Sequence, residues 1–472
     1  MIPRTLSSYL AACLICLISA HATAAMTLED CIIWGLSHNP SIRKIEIERS
    51  LDRPGKQAAI GQFLPSISVG LAISRTSFYN PTYLNPDGSV ATYPRTERDY
   101  DTYMDTLGYI RVDTSTIRDV VIPIPEGTRK ASSSFLRIDE TLFDGGRNTY
   151  NYKNALLSLA AREARIEDVR RLVRNAIVHA YARAVSADRQ LNLAGRMTSQ
   201  RRMQLEYAKA RLLAGSVTRR DVLQAEVELG RAVSDSLQAA LTIRRAYEEL
   251  NLQTGLPLDT TFSLQENRQP AIPKLSIKEL ESVALLSRGD AEALRNILQQ
   301  RENEVKVRKG KYLPRLEAGL SHDRSERSGG GASFTLNPRN KNTTVDLTLS
   351  WLLFDRFSRE LNLQQAKVDQ GKLEIELNNL ELEIRVEVRS AAEMLRSASL
   401  QVKVASDNAN LAEQTLEFEQ ERYRLGSATL IELNAAQLSY YQAQTEIIRL
   451  ESEYVAAYGD LEAAVGQPLA GR

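Results

Sequence analysis

The chain has 472 residues, and its 60 lysines and arginines are almost balanced by 59 acidic residues, which leaves a net charge of +1. A neutral balance gives no support for a nucleic-acid partner, because such partners select basic surfaces. With only three cysteines, the chain cannot rely on the disulfide framework that holds small secreted domains together.

Residues 1–25 have the pattern of a secretory signal peptide: Arg4, an apolar run over residues 10–20, and small residues at 22–25. The run is too short to remain as a membrane anchor. Cys13 and Cys16 would be removed with the signal, leaving Cys31 alone. Residues 10–13 also match a bacterial lipoprotein processing box, in which Cys13 would be lipidated. A coincidence in an alanine- and leucine-rich signal explains the same residues, and both interpretations stay open.

After the signal, an amphipathic helix over residues 29–36 meets Pro40 and resumes at Ser41. Pro54-Gly55 predicts a further break, because proline removes a backbone donor and clashes with the preceding turn. The equivalent stretch later in the chain, residues 290–311, has no proline and predicts one continuous helix.

The period then changes from helical to alternating. Apolar residues from Ile67 onward alternate with serine, glycine and alanine, and the same pattern returns after Val345, which predicts strands with one apolar face. Weaker strands are expected near residues 136–142 and 316–321, so the strands flank a long loop over residues 79–130 and a short one over 325–342. The eight apolar positions of the stronger strands are Ile67, Val69, Leu71, Ile73, Val345, Leu347, Leu349 and Trp351.

Long helical hairpins follow each pair of strands. Residues 148–213 contain no proline and a single glycine, Gly195, and their apolar positions follow the spacing of a coiled coil. A helix of about 66 residues is on the order of 100 Å long. Gly215-Ser216 and Gly426-Ser427 mark the sharp reversals that end two antiparallel hairpins.

The chain contains the same ordered motifs twice. The first series has Leu-Pro at 64–65, Leu-Phe-Asp at 142–144, Arg-x-x-x-Gly-Ser-x-Thr at 211–218 and Gly-Leu-Pro-Leu at 255–258. The second has Leu-Pro at 313–314, Leu-Phe-Asp at 353–355, the arginine motif at 422–429 and Gly-Gln-Pro-Leu at 466–469. Such internal repetition determines the architecture.

We therefore expect a signal peptide (1–25), a first repeat (26–258), a linker (259–275), a second repeat (276–469) and a short tail (470–472). The first repeat would hold a β-hairpin at about 66–142 and a helical hairpin at about 148–254. The second would hold a β-hairpin at about 315–354 and a helical hairpin at about 357–465.

A half-buried sheet in a soluble domain would produce the same alternation. Strands of about 10–12 residues with small or polar opposite faces favour a membrane barrel instead, in which the eight apolar positions named above would face lipid. Four strands cannot enclose a lumen, so several copies of the chain would share one barrel, and three copies would supply twelve strands.

Taken together, the motifs resemble those of the TolC-like family of outer-membrane efflux and secretion channels (outer membrane factors), over nearly all of the mature chain. The resemblance implies a mainly α fold with a membrane β-barrel, in which a homotrimer forms a 12-stranded barrel continuous with an α-helical tunnel. It places the protein in the outer membrane of a Gram-negative bacterium, extending into the periplasm. There it would dock on a periplasmic adaptor (membrane fusion) protein and an inner-membrane transporter, and give passive export for a tripartite efflux pump or a type I secretion system.

A gate is expected at the periplasmic hairpin ends, because converging helices need polar links that can break without unfolding. The resemblance implies that Asp221 bonds to Tyr423. The arginine of the family pattern is Ala428 here, and Glu432 and Ala435 stand at the two acidic positions of its narrowest ring. Ordinary turn and cap residues would explain the same positions. The candidate gate residues are Asp221, Tyr423, Arg219, Arg220, Arg424 and Glu432. Any of the three arginines could take over the role of the family arginine that is Ala428 here.

The hairpin ends also predict the adaptor contact, through Gly215, Ser216, Thr218, Gly426, Ser427 and Thr429. The sequence gives little support for an enzyme. The four histidines are scattered, and the sequence contains no metal-binding motif, no phosphate loop and no nucleophile elbow. We expect no enzyme activity, cofactor or metal. The alternative function is that of a secreted or periplasmic coiled-coil scaffold with a small soluble sheet. The exported substrate is not encoded in any motif.

Overall fold

The computed structural model describes residues 25–78, 94–104, 106–107, 110–121, 127–265, 270–271, 275–328 and 341–469. The signal peptide up to residue 24, including Cys13, and the tail at 470–472 lie outside the described residues, as do parts of both strand-connecting loops and of the linker. The chain divides into a mainly helical unit and a sheet unit, which are described separately.

The helices and strands follow one another in the order that the duplication predicts. The first copy contains α1 (Leu28–His38), α2 (Pro40–Arg49), α3 (Asp52–Gly61), β1 (Ser66–Phe78), β2 (Pro94–Met104), β3 (Ile110–Val121), β4 (Gly127–Phe143), α4 (Arg147–Leu213) and α5 (Arg219–Thr254). The second contains α6 (Ile277–Ser287), α7 (Gly289–Gly310), β5 (Arg315–Ser328), β6 (Lys341–Ser350), α8 (Ser358–Arg424) and α9 (Leu430–Val465).

The two helical hairpins have equal lengths in the two copies. α4 and α8 contain 67 residues each, and α5 and α9 contain 36 each. Both short arms end at a glycine with positive φ, Gly255 at 75° and Gly466 at 87°. The expected break near Pro54 is confirmed, since α2 ends at Arg49 and Pro54 lies in the first turn of α3. The continuous helix expected over 290–311 is also confirmed, as α7.

Each copy has its own apolar core at the base of its hairpin. In the first copy, Leu28 and Ile32 of α1 pack with Ile177, Tyr181 and Leu250 of α4 and α5. In the second, α6 takes the place of α1 against α8 and α9. Its buried residues include Leu280, Ala284, Ile384, Val388, Leu395, Tyr454, Tyr458 and Leu461. Each fully buried leucine or isoleucine contributes about 1.5–3 kcal/mol, so these two cores hold the long arms together.

The four long helices lie side by side in the order α5, α4, α9, α8. Apolar side chains join α5 to α4 and α9 to α8. The seam between α4 and α9 carries many polar contacts by comparison. Asn175 and His179 bond to Asp460 at 2.9 and 2.7 Å, and Arg189 forms an ion pair with Glu451. The two copies therefore meet through hydrogen bonds and ion pairs, and α5 and α8 form the two edges of the wall.

The sheet unit contains a four-stranded antiparallel sheet in the order β1-β4-β5-β6. Its register pairs Ile67 with Ile138, Ile138 with Leu320, and Leu320 with Val345. All four predicted strands are present. β1 and β6 are the two edges of this sheet.

The interpretation of residues 79–130 as one long loop was wrong. β2 and β3 form a separate two-stranded antiparallel sheet there, and β4 begins at Gly127. Pro94 is the first residue of β2, a position where a strand tolerates proline. β3 is rich in β-branched residues, which favour strands.

None of the helices in the described ranges combines the length and apolar character needed to cross a membrane.

Candidate functional site at the hairpin ends

The two hairpin ends have the same backbone geometry. Gly215 and Gly426 adopt positive φ angles of 71° and 77°, which let the chain leave the helix in a left-handed turn. The next residue closes the turn in both copies, since Ser216 N donates to Arg211 O and Ser427 N donates to Arg422 O, each at 2.9 Å. The equal geometry explains why the Arg-x-x-x-Gly-Ser-x-Thr motif occurs twice.

Capping boxes start the returning helices. Asp221 Oδ2 accepts hydrogen bonds from the backbone and hydroxyl of Thr218, both at 2.8 Å. Glu432 Oε2 accepts the equivalent bonds from Thr429 at 2.6 and 2.8 Å. Bonds from the threonine backbone and hydroxyl lower the pKa of both carboxyl groups, because they favour the charged form. Each acid is thus committed to the start of its own helix.

Among the described residues no hydrogen bond joins Asp221 to Tyr423, and Asp221 bonds to Thr218 instead. Tyr423 is instead reached by Arg211, whose Nη1 donates to the tyrosine hydroxyl at 3.1 Å. The Arg211 guanidinium carbon also lies 5.5 Å from the centroid of the Tyr423 ring. This contact joins the end of α4 in the first copy to the end of α8 in the second.

The other candidate arginines have different surroundings. Arg424 forms an exposed ion pair with Glu421, while Arg219 and Arg220 are exposed. Sequence reasoning missed Arg211, although a signal was present. It is the first residue of the repeated motif, equivalent to Arg422, and both arginines lie in the last turn of a long helix.

A second missed residue, Arg201, lies deeper along α4. It is 6% exposed, and its Nη1 donates to Asn434 Oδ1 at 2.6 Å and to Gln437 Oε1 at 2.7 Å, both in α9. Burial lowers the pKa of its guanidinium, although arginine remains charged in proteins. No sequence pattern distinguishes it from Arg202, its exposed neighbour.

The strand residues expected to face lipid are exposed. Their side chains along β1 and β6, with Trp351 just beyond, are between 61% and 79% exposed. The Trp351 indole donates to Tyr312 O at 3.0 Å, which fixes the ring at the end of β6. Apolar side chains this exposed on neighbouring alternate positions indicate a surface that is covered in the cell.

Comparison with known proteins identifies the family. A model of outer membrane efflux proteins matches residues 35–256 and 280–467, one segment in each copy. The chain belongs to the outer membrane efflux protein family. Its localisation is therefore the outer membrane. The resemblance to TolC-like channels is confirmed, and the scaffold alternative is disfavoured.

Individual relatives agree with this assignment. The alkaline protease secretion protein AprF of Pseudomonas aeruginosa is 24% identical over 338 residues, covering 71% of this chain and 69% of that protein. The outer membrane efflux protein BepC of Brucella suis biovar 1 is 24% identical over 342 residues, covering 70% and 71%. The CmeC outer membrane channel of Campylobacter jejuni has the same fold, with a TM-score of 0.72 at 18% identity, covering 94% of this chain and 86% of that one.

In the described part of the chain, no three His, Cys, Asp or Glu side chains are grouped so that they could hold a metal ion. Cys31 has a free, fully buried thiol. Burial raises the pKa of this thiol to about 12. At that pKa it stays protonated and unreactive.

Proposed function

We propose that this efflux protein is a homotrimeric channel that gives passive export for a tripartite efflux pump or a type I secretion system, without catalysis of its own. Two relatives support both settings, since AprF is named for alkaline protease secretion and BepC for efflux. Energy would come from an inner-membrane transporter, which a periplasmic adaptor would connect to the hairpin ends.

The observation that carries the proposal is that the wall of long helices has two exposed apolar edges. Along α8, exposed apolar residues recur at seven-residue intervals on the side opposite the face packed against α9. Over the part of α8 that α9 reaches, they are Val404, Leu411 and Phe418, which are 59%, 60% and 63% exposed. Seven-residue spacing is the pattern of a coiled-coil seam, so a further helix is expected to cover this stripe.

α5 carries a matching stripe on the opposite edge. Leu223, Val227, Leu237 and Leu241 are separated by 4, 10 and 4 residues, which keeps them on one face of the helix, and they are 52%, 51%, 64% and 52% exposed. The stripe lies on the side of α5 opposite the residues that pack on α4, such as Val222 and Ala225. The α5 edge of one chain can therefore pack against the α8 edge of the next, and repetition of this unlike contact closes a ring.

The sheet has open edges as well. In the described sheet, β1 and β6 each pair on one side only, and unpaired strand edges readily pair with another chain. Joining β6 of one chain to β1 of the next removes both edges. Three chains give a 12-stranded barrel, an even number within the range that outer-membrane barrels use, with the exposed apolar positions of β1 and β6 facing lipid.

The hairpin ends would form the gate and the adaptor contact. Arg211 on Tyr423 links the two copies and supplies the cation that the family pattern places at Ala428. We propose that the remaining gate residues act between chains or with the adaptor. They are Asp221, Arg219, Arg220, Arg424 and Glu432, and the adaptor would contact the turns at Gly215, Ser216, Thr218, Gly426, Ser427 and Thr429.

Cysteine cross-linking tests the ring. Leu237 and Val404 are 64% and 59% exposed on the two edge stripes, and both lie about 27–30 Å from their hairpin ends at 1.5 Å per residue. In a Cys31→Ser background, Leu237→Cys with Val404→Cys should give chains disulfide-linked into trimers in outer-membrane extracts.

The control replaces Val404→Cys by Lys403→Cys, which is turned about 100° around α8 and should cross-link much less. Single-channel recording of the purified protein in planar bilayers completes the test. Cross-linking that does not depend on the stripe would refute the edge-to-edge ring, and a protein that never conducts would refute the channel.

A further inference from the structure

Arg201 holds a buried positive charge that neutral groups surround. All its hydrogen bonds come from Nη1, to Gln204, Asn434 and Gln437 at 3.1, 2.6 and 2.7 Å. The acceptors are amide oxygens, so among the described residues no bonded carboxylate neutralises the guanidinium. Glu228, the acid that acts on it through space, is itself paired with Arg231 at 3.1 Å.

The amide of Gln437 is held in place for Arg201. Gln437 is 1% exposed, and its Nε2 is buried without a hydrogen-bond partner in the described structure. An unsatisfied buried donor costs about 1–3 kcal/mol. Turning the amide over would direct its NH₂ group at the guanidinium. The arrangement thus keeps oxygens on Nη1 and leaves Nε and Nη2 of Arg201 available.

A cavity of about 640 Å³ opens beside this guanidinium, between the two hairpins. Its charged lining residues are Arg201, Arg211, Arg424 and one acid, Glu228, so the lining is positive. The remaining wall combines five amide side chains with the apolar or aromatic residues Met203, Tyr207, Tyr423, Leu430 and Leu433. The volume is within the range of about 300–1,000 Å³ that holds small molecules.

A second cavity of about 760 Å³, also lined by Arg201, has no excess of positive charge. Its three arginines face an equal number of acids, Asp221, Glu228 and Asp235. Of these two cavities, the 640 Å³ cavity alone combines excess positive charge, an arginine with free donors, and apolar wall residues.

We propose that the 640 Å³ cavity binds a small organic carboxylate. The carboxylate accepts from Nε and Nη2 of Arg201, the paired geometry that guanidinium groups favour for planar anions. The apolar body of the ligand packs against Tyr207, Leu430 and Leu433. Because α4 and α9 both line the cavity, the ligand contacts both copies of the repeat at once.

Fluorine NMR tests the site on the purified full-length mature protein in detergent, with 4-fluorobenzoate as the probe. The ¹⁹F signal should broaden on binding, and the neutral isostere 4-fluorobenzamide should not. Arg201→Gln should weaken binding at least about tenfold, since a hydrogen bond to a charged group contributes about 1.5–3 kcal/mol. Arg202→Gln, which removes the same charge from an exposed neighbour, should leave the affinity unchanged.

Leu430→Trp provides a second test that leaves Arg201 in place. The larger ring occupies the wall position against which the ligand body would pack, and it should abolish the broadening while circular dichroism shows the helices intact. If Arg201→Gln does not fold, this variant decides. The proposal is overturned if 4-fluorobenzamide binds as well as the acid, if acetate binds as tightly as 4-fluorobenzoate, or if neither variant changes the affinity.

Discussion

Replacing Arg211 by glutamine should open the channel, because the side chain links the two copies where the hairpins end. Arg211→Gln removes the 3.1 Å bond to the Tyr423 hydroxyl and the cation 5.5 Å from its ring. A solvent-accessible bond of this kind contributes about 1 kcal/mol, and the cation–π contact about 0.5–1 kcal/mol. In the proposed homotrimer, three chains together lose about 5 kcal/mol, which shifts a closed-to-open ratio by roughly three to four powers of ten.

Single-channel recording in planar bilayers measures this ratio directly as open probability. Tyr423→Phe keeps the ring and should give a smaller increase than Arg211→Gln. The double variant should add little to Arg211→Gln, since both changes act on one interaction. Arg220→Gln is the matched control, because it removes an exposed positive charge from the same hairpin end. Equal effects of Arg220→Gln and Arg211→Gln, or no effect of either, would refute a specific link.

Two further predictions concern the helix ends. The pKa values of Asp221 and Glu432 are lowered by their threonine bonds, so their stabilisation is complete above the ordinary carboxyl pKa values and is lost as pH falls through the lowered ones. The hydrogen-exchange protection factors at the starts of α5 and α9, which correct for the intrinsic exchange rate at each pH, should therefore fall below about pH 4, whereas constant protection factors down to pH 2 would contradict this. Gly255→Ala should lower the melting temperature more than Gly215→Ala. Both positions have positive φ, which costs about 1 kcal/mol for alanine, but only at Gly255 would the new Cβ lie 2.7 Å from His38 O, with open space at Gly215. Equal melting temperatures would show that this overlap relaxes freely.

The fold could be predicted largely from the sequence because its signals are local and occur twice. The strand alternation, the Gly-Ser reversals and the proline break each depend on a few neighbouring residues. β2 and β3 were missed because β2 is mostly polar and charged and has no apolar alternation, and β3 pairs with β2.

The candidate site was less accessible because its contacts cross between the copies. Arg211 meets Tyr423, and Arg201 meets Gln437, over separations of 212 and 236 residues. No period or spacing in one sequence reports such pairs. Asp221 is the converse case, since its bonds to Thr218 lie within its own turn, and such a local capping pattern can be read from the sequence.

The two unlike edges of the helical wall affect how a defective chain behaves beside an intact one. A chain with polar substitutions along α5 alone retains its α8 edge, so it can still join a neighbour but blocks completion at its other side. Suppose that intact and altered chains are made in equal amounts and mix at random into rings of three. Only about one ring in eight would then consist of intact chains alone. Variants altered along one edge should therefore be dominant over the intact protein. The fraction of channel activity that remains in the mixture would indicate how many chains form one ring.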